Sequence, residues 1–290
     1  MKIKKAVILA GGYGTRMLPA TKTVFKELLP IINIPAIQFA INECVLSGIN
    51  EICIVLGENK YSIINYLECN TLLKTLMDNK NLPIEYYKIA QINTQANFTY
   101  FLQGQNRGTA QAIYKCKSFT GDEPFCVLFP DEIIFSEKPV IQQLISAYYR
   151  TSRTILGCSE ISINDCNKYG MIKYNKNNGN FYEIDKIIEK PQNSTPSLLA
   201  TCGRFIFEQN IYEYIKDLNK VNNEYRLPDA INKLAKNSTV YAYKFDGERF
   251  DIGNKMDYAK TIIKYTLNDK EISDSIKKYI MEIIHTENNF

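Results

Sequence analysis

Apolar residues along this chain gather into short runs separated by polar stretches rich in glycine, proline and asparagine. The runs at 5–10 and 125–129, Lys5-Ala6-Val7-Ile8-Leu9-Ala10 and Phe125-Cys126-Val127-Leu128-Phe129, are too short for helices and are closed by Gly or Pro. This is the pattern of strands covered on both faces. Helical stretches are expected near 36–47, from about Asn59 and from about Gly108, with further strands over 51–56 and near 84–89. Strands alternating with helices predict an α/β fold built on a doubly wound, mostly parallel sheet. From 154 to 206 the pattern turns to strand-like pieces, and Asn177-Asn178-Gly179-Asn180 between two of them predicts a hairpin turn. After a strand over 239–245 the chain reads as helical, with apolar series at Tyr258, Ile262, Ile263 and Tyr265 and at Ile276, Tyr279, Ile280 and Ile283. The 290 residues read as a single domain: a core in 1–153, a β-rich elaboration and return to the core in 154–253, and C-terminal helices in 254–290.

The first strand leads into Gly11-Gly12-Tyr13-Gly14-Thr15-Arg16. Glycines placed there let backbone N–H groups converge on an anion without interference from a Cβ, and Arg16 can add a bidentate charge. Met17 stands where a dinucleotide fingerprint needs its third glycine, and the Gly-Lys-Ser/Thr of a P-loop does not occur. Pro19, Pro30 and Pro35 argue against one continuous helix beyond the loop, while Leu28, Leu29, Ile31 and Ile32 argue against disorder. A connection this long reads as functional. It carries Arg16, Lys22 and Lys26 close to the glycines, enough charge to face a triphosphate.

Pro130-Asp131 ends the strand over 125–129 at its carboxyl edge, where open α/β sheets bind ligands. Asp131 is therefore a candidate ligand for magnesium, which takes one or two carboxylates with phosphate oxygens and waters, so a second acid is expected from elsewhere. Glu132 could hold a metal-bound water or face solvent. The single histidine, His285, lies near the C-terminus, which excludes a histidine-based mechanism. Phosphoryl chemistry tolerates that absence, because a phosphate monoester has its second pKa at about 6 and needs no base to become a nucleophile.

The net charge of +4 comes without a dense basic block interleaved with aromatics, so nucleic acid is not an expected partner. No apolar run is long enough for a membrane span, and the basic start runs straight into the first strand without a signal-peptide core. A cytoplasmic protein with no membrane partner is expected. The eight cysteines form no Cys-x-x-Cys pair and sit largely within apolar strands, as small buried hydrophobes.

Leu9-Ala10-Gly11-Gly12-Tyr13-Gly14-Thr15-Arg16-Met17-Leu18-Pro19-Ala20-Thr21-Lys22, followed by Lys26-Glu27-Leu28-Leu29-Pro30, resembles the signature of the sugar-1-phosphate nucleotidyltransferases. The Met-Leu-Pro-Ala-Thr-Lys stretch resembles their UTP-using branch. Gln103-Gly104 with Gly108, Pro130-Asp131, Tyr169-Gly170, Glu189-Lys190-Pro191, Gly203-Arg204-Phe205 and Asp251 with Gly253-Asn254-Lys255 follow in the family's order over almost the whole chain. The resemblance implies a Rossmann-like nucleotidyltransferase fold, with 1–153 mainly binding nucleotide and the β-rich elaboration covering the sugar. It implies transfer of uridylyl from UTP to α-D-glucose 1-phosphate with Mg2+, giving UDP-glucose and pyrophosphate. A dTTP-using thymidylyltransferase and a non-catalytic nucleotide-sugar-binding relative are the alternatives.

By the same resemblance, Ala10, Gly11, Gly12, Gly14, Thr15, Gln103 and Gly108 meet the nucleotide, with Gln103 pairing with the base. Arg16 and Lys26 would hold the triphosphate and Lys190 the sugar phosphate, while Glu189, Gly170 and Gly203 serve the sugar ring. Asp251 would join Asp131 on the metal. A homodimer or homotetramer is expected from the apolar C-terminal helices. Two departures stand out: Phe25 replaces a common proline, and Arg107-Gly108-Thr109-Ala110 replaces a more usual Leu-Gly-x-Ala, which bears on nucleobase preference. Residues 91–100 are polar and irregular and predict no element.

Overall fold

Burial of the continuous apolar runs organises the computed structural model, which describes residues 2–68, 75, 96–104 and 108–287. The strands in chain order are β1 (Lys5–Ala10), β2 (Pro30–Ile31), β3 (Ile34–Pro35), β4 (Glu51–Leu56), β5 (Asn97–Leu102), β6 (Phe125–Leu128), β7 (Glu132–Phe135), β8 (Ile155–Glu160), β9 (Gly170–Asn178), β10 (Phe181–Glu189), β11 (Leu199–Phe207), β12 (Tyr241–Lys244) and β13 (Glu248–Asp251). The helices are α1 (Ala36–Leu46), α2 (Tyr61–Leu67), α3 (Thr109–Lys115), α4 (Lys117–Thr120), α5 (Val140–Thr151), α6 (Ile211–Lys216), α7 (Leu227–Asn237), α8 (Lys255–Asn268) and α9 (Ser273–Glu287).

Among the described residues nine strands form one sheet in the order β5-β4-β1-β6-β11-β8-β12-β10-β9. Successive residues of β1 point to opposite faces. Val7 and Leu9 join a core with Ala110, Ile113, Tyr212 and Ile231 from α3, α6 and α7. Ala6, Ile8 and Ala10 join another with Ile37, Ile41, Ile63 and Leu144 from α1, α2 and α5. Helices thus cover both faces, and each large aliphatic side chain buried this way contributes about 1.5–3 kcal/mol.

The expectation of a mostly parallel sheet is corrected: the sheet is mixed. The pairs β5–β4, β4–β1, β1–β6 and β8–β12 are parallel, whereas β6–β11, β11–β8, β12–β10 and β10–β9 are antiparallel. The reason is that β11 inserts between β6 and β8 running against both, and that β9 and β10 form a hairpin, which is antiparallel by construction. Its turn falls at Gly179-Asn180, with Gly179 at φ 59°, within the asparagine-glycine stretch that predicts it.

Five of the described strands lack an anticipating pattern, among them the two-residue β2 and β3, which pair with each other. Asn97–Leu102 forms the edge strand β5, stabilised by parallel pairing with β4. β7 and β13 pair with each other as a separate antiparallel ribbon, Asp251 opposite Glu132. The expected strand near 84–89, Arg107 and Cys69 lie outside the described residues. The other seven cysteines are buried free thiols. Among the described residues no helix is long and apolar enough to cross a membrane. In α8, Tyr258, Ile262 and Tyr265 pack on Ile31, Ile133 and Ile252, whereas in α9 Tyr279, Met281, Ile283 and Ile284 are exposed.

Candidate active site

At the carboxyl ends of β1 and β6, two cavities of about 230 and 530 Å³ open side by side and share Thr109, Phe129, Asp131, Glu189, Lys190 and Pro228 as lining. The larger takes Leu9, Gly11, Gly12 and Tyr13 from the end of β1, with Lys26, Gln103, Gly104 and Gly108. The smaller takes Arg16, Glu132, Tyr169, Gly170, Gly203, Arg249 and Asp251. Segments separated by more than 200 residues thus face one cleft.

The glycine loop is built for close approach. A Cβ on Gly11 would collide with the Gln103 amide oxygen, while Gln103 Nε2 donates to the Gly108 carbonyl at 3.1 Å. The amide is therefore held across the mouth between β1 and α3. Gly108 has φ 106°, and a Cβ there would strike the Tyr225 backbone. Only glycine accepts both that backbone angle and that contact. The segment around Tyr225 is tied down by Ala110 N donating to Tyr225 O at 3.1 Å and Leu227 N to Thr109 Oγ1 at 3.1 Å.

Two acid–base pairs sit at the junction of the cavities. Lys26 Nζ lies 2.5 Å from Asp131 Oδ2, and Arg16 Nη1 lies 3.3 Å from Asp251 Oδ2. Burial by itself would lower the Lys26 pKa, but Asp131 and Glu27 beside it hold it above its ordinary 10.5. Burial would raise Asp131, but Lys26 keeps its carboxyl below the ordinary 3.8. Asp251 is brought in by the β7–β13 ribbon, which Ile252 N extends by donating to Asp131 O at 2.9 Å. Its Oδ1 accepts from Gly253 N at 2.9 Å. Directly beyond, Asn254 caps α8, accepting from Asp257 N at 2.9 Å and donating to Asp251 O at 2.8 Å.

The donor chemistry of Asp131 and Asp251 fits a hard divalent cation: carboxylate oxygens only, with the remaining positions left to phosphate oxygens and waters. Among the described residues no group of three or more His, Cys, Asp or Glu side chains forms a self-sufficient metal cage. Glu132 lines the smaller cavity. Its carboxylate lies 2.6 Å from Arg249 Nε, and Arg249 in turn covers the Tyr169 ring at 4.2 Å.

Where the two cavities meet, Glu189 lies at the end of β10, and Lys190 follows with φ 46°, an uncommon left-handed conformation for a non-glycine residue. The bond from Lys190 N to Tyr169 O at 3.1 Å holds this turn. Lys190 Nζ is 3.8 Å from Glu189 Oε1. Burial pushes the Glu189 carboxyl upward, opposed by Lys190 and Arg226. Gly170 is packed against Glu189 Oε2, at 3.1 Å from where a Cβ would stand, and a Cβ on Gly203 would collide with the Phe129 ring.

Of the residues nominated from sequence, Gly11, Gly12, Lys26, Gln103, Gly108, Asp131, Glu189 and Lys190 line the larger cavity, and Arg16, Gly170, Gly203 and Asp251 the smaller. Ala10, Gly14 and Thr15 line neither. Ala10 is fully buried as the last residue of β1. Gly14 takes φ 69° and its carbonyl accepts from Thr21 Oγ1 at 2.7 Å, and Thr15 opens the turn that carries Arg16. Their place is in shaping the loop. Lys22 is exposed and lines neither cavity.

Sequence reasoning missed the groups that brace the cleft. Arg204 is fully buried and donates to Glu43 Oε2 at 2.9 Å, to Phe129 O at 3.0 Å and to Glu132 O at 2.9 Å. It grips both sides of the turn that presents Asp131. Arg204 stands within a quoted motif, but the motif says nothing of a brace. Lys60 and Glu27 form a second buried pair, and Phe25, in place of the common proline, lies over the Lys60 ammonium at 5.3 Å.

Residues 5–268 match the nucleotidyl transferase family model. The chain is 38% identical over 284 residues, covering 97% of it and 99% of the relative, to the UTP–glucose-1-phosphate uridylyltransferase of Staphylococcus epidermidis. Among solved structures it is similar to a UDP-glucose pyrophosphorylase complexed with UDP-glucose (TM-score 0.83, 33% identity, 91% of this chain and 98% of that one). It is also similar to a UTP-bound UGPase from Acinetobacter baumannii (TM-score 0.87, 30% identity, 97% and 99%).

Proposed function

The chain belongs to the nucleotidyl transferase family, and from that premise we propose how its own residues move a uridylyl group. The reaction is transfer of uridylyl from UTP to α-D-glucose 1-phosphate, giving UDP-glucose and pyrophosphate. The observation that carries the assignment of residues is the meeting of Asp131, Asp251, Lys26, Arg16 and Lys190 in adjoining cavities that share a wall.

UTP takes the larger cavity, its base against Gln103 between Gly11 and Gly108, and its triphosphate on the backbone of the glycine loop with Lys26 and Arg16. Glucose 1-phosphate takes the smaller, its phosphate on Lys190 and its hydroxyls on Glu189, while Gly170 and Gly203, expected to leave room for the sugar ring, instead make room for the Glu189 carboxylate and the Phe129 ring that line the cavity. Asp131 and Asp251 would hold a divalent cation, which we assign as Mg2+; when bound, it neutralises phosphate charge and helps align the reacting groups. The sugar phosphate is already dianionic, so a phosphate oxygen attacks the α-phosphorus directly, in line with departing pyrophosphate. Lys26, Arg16 and Lys190 are the cations available to compensate the charge that shifts between the two phosphates.

The sugar phosphate needs no proton acceptor from the protein, in keeping with a single histidine at 285 that lines neither cavity. The buried free thiols fit a reducing compartment, and we place the reaction in the cytoplasm. The exposed apolar residues of α9 are the surface we assign to self-association, as homodimer or homotetramer. Sedimentation of Ile283→Lys should show a smaller species than the parent, and an unchanged species would remove α9 from that role.

The deciding assay measures pyrophosphate release across a panel of nucleoside triphosphates and sugar 1-phosphates. The expected result is highest turnover with UTP and glucose 1-phosphate. Equal or better turnover with dTTP would move the protein to the thymidylyl-transferring branch.

A further inference from the structure

Lys60 precedes α2 and stands outside every motif that marks the cleft, yet its ammonium spends three hydrogen bonds there. It donates to the Gly12 carbonyl at 2.6 Å and to Glu27 Oε1 and Oε2 at 2.8 Å each. The pair is almost fully enclosed, with Lys60 3% and Glu27 0% exposed, and Phe25 closes it from the side. Neither side chain is open to substrate.

Burial pulls the Lys60 ammonium down and pushes the Glu27 carboxyl up, each opposed by the other. Such a pair is commonly no more stable than apolar residues of similar size. What it adds is a join between two distant pieces of the nucleotide site. Gly12 belongs to the glycine loop, where the backbone is freest to move. Glu27 adjoins Lys26, and a Cβ on Gly12 would stand only 3.2 Å from Lys26 Nζ. The loop backbone at Gly12 and the Lys26 ammonium therefore lie beside each other, next to the bonds that Lys60 makes.

We propose that Lys60 is a positioning residue for the nucleotide, fastening the glycine loop to the Lys26 turn so that both meet the triphosphate at a fixed spacing. This rests on the uridylyl-transfer reading of the cleft. It differs from a role in which Lys60 only neutralises Glu27, and one pair of substitutions separates the two. Replacing both partners, Lys60→Met with Glu27→Met, removes the charge that needs neutralising and also the bond to Gly12. A purely neutralising lysine is dispensable in that double variant; a pin is not.

The double variant is expected to melt near the parent, to bind UTP about tenfold more weakly by calorimetry, and to keep the parental KM for glucose 1-phosphate. Parental UTP affinity in the folded double variant would overturn the proposal. Should the double variant not fold, Lys60→Gln with Glu27→Gln decides. This uncharged pair keeps polar atoms for each other, but the glutamine side chain is shorter than lysine and gives up the Gly12 carbonyl, so UTP affinity should again fall while glucose 1-phosphate KM holds; parental UTP affinity there would equally overturn the pin. The parent protein guards the premise, since failure of the parent to bind UTP or form UDP-glucose would count against the reading of the cleft and not against Lys60.

Discussion

Asp131 combines two roles that a substitution can separate, as partner of Lys26 and as proposed metal ligand. Asp131→Asn keeps an oxygen that can accept from Lys26, so unfolding should shift by only about 1–3 kcal/mol. Turnover should fall about a hundredfold or more, because a neutral amide is a poor ligand for a hard cation. Calorimetry alongside steady-state kinetics checks both, and near-parental turnover would remove Asp131 from the metal site. Gln103 poses a question of selectivity. Its amide is held by the Gly108 carbonyl and stands over Gly11, so Gln103→Ala should narrow the ratio of kcat/KM for UTP over other pyrimidine triphosphates more than it slows UTP. An unchanged ratio would place discrimination elsewhere, with the segment around Tyr225 as the next wall of that pocket. Asp131 was legible in sequence because it follows a proline at the end of an apolar run, and Gln103 through the family motif it forms with Gly104. Lys60 was not, since no local pattern marks a lysine whose partners lie 48 and 33 positions away.

At the scale of elements, the cleft depends on turns held from beneath. The turn between β6 and β7 carries Asp131, and Arg204 from β11 grips the carbonyls at Phe129 and Glu132 while Glu43 from α1 holds the guanidinium. Arg204→Met would leave those carbonyls and a largely buried carboxylate without their cation. The expected loss is about 3–5 kcal/mol, read by chemical denaturation, with Arg204→Lys recovering only part because a lysine cannot reproduce the planar fork. A loss below about 0.5 kcal/mol would mean that the turn is held by its neighbours instead. The elements themselves were visible in sequence where one period repeats: β1, β4, β6, α1 and the β9–β10 hairpin fall where the pattern predicts them. β5, β7 and β13 were not, because each is short and owes its strand conformation to a partner supplied by the fold.

Across the whole molecule, pH acts on the site through coupled pairs and through the substrate. The Asp131 pKa is depressed in the folded protein, so its stabilising contribution is fully present above its ordinary 3.8 and disappears as pH falls through the lower folded value. The Lys26 pKa is raised, so its contribution is fully present below 10.5 and disappears as pH climbs through the higher folded value. Between those limits the pair gives a plateau. The fall of kcat/KM for glucose 1-phosphate on acidification should therefore come earlier, at about pH 6 where the sugar phosphate takes up a proton. His285→Gln should leave that limb in place, and a limb that moves with it would reopen the case for a protein base.

Local chemistry along the chain settled that strands and helices alternate, that the first strand ends in a glycine loop, and that Asp131 stands at the carboxyl edge of a strand, since period and turn residues act over a few positions. Only tertiary packing decided that the sheet is mixed, that Asp251 lies across from Glu132, and that Arg204 and Lys60 lock the turns of the site. Those contacts join segments 33 to 161 residues apart, and strand pairing and buried charge matching at that distance leave no periodic trace for a linear reading to find.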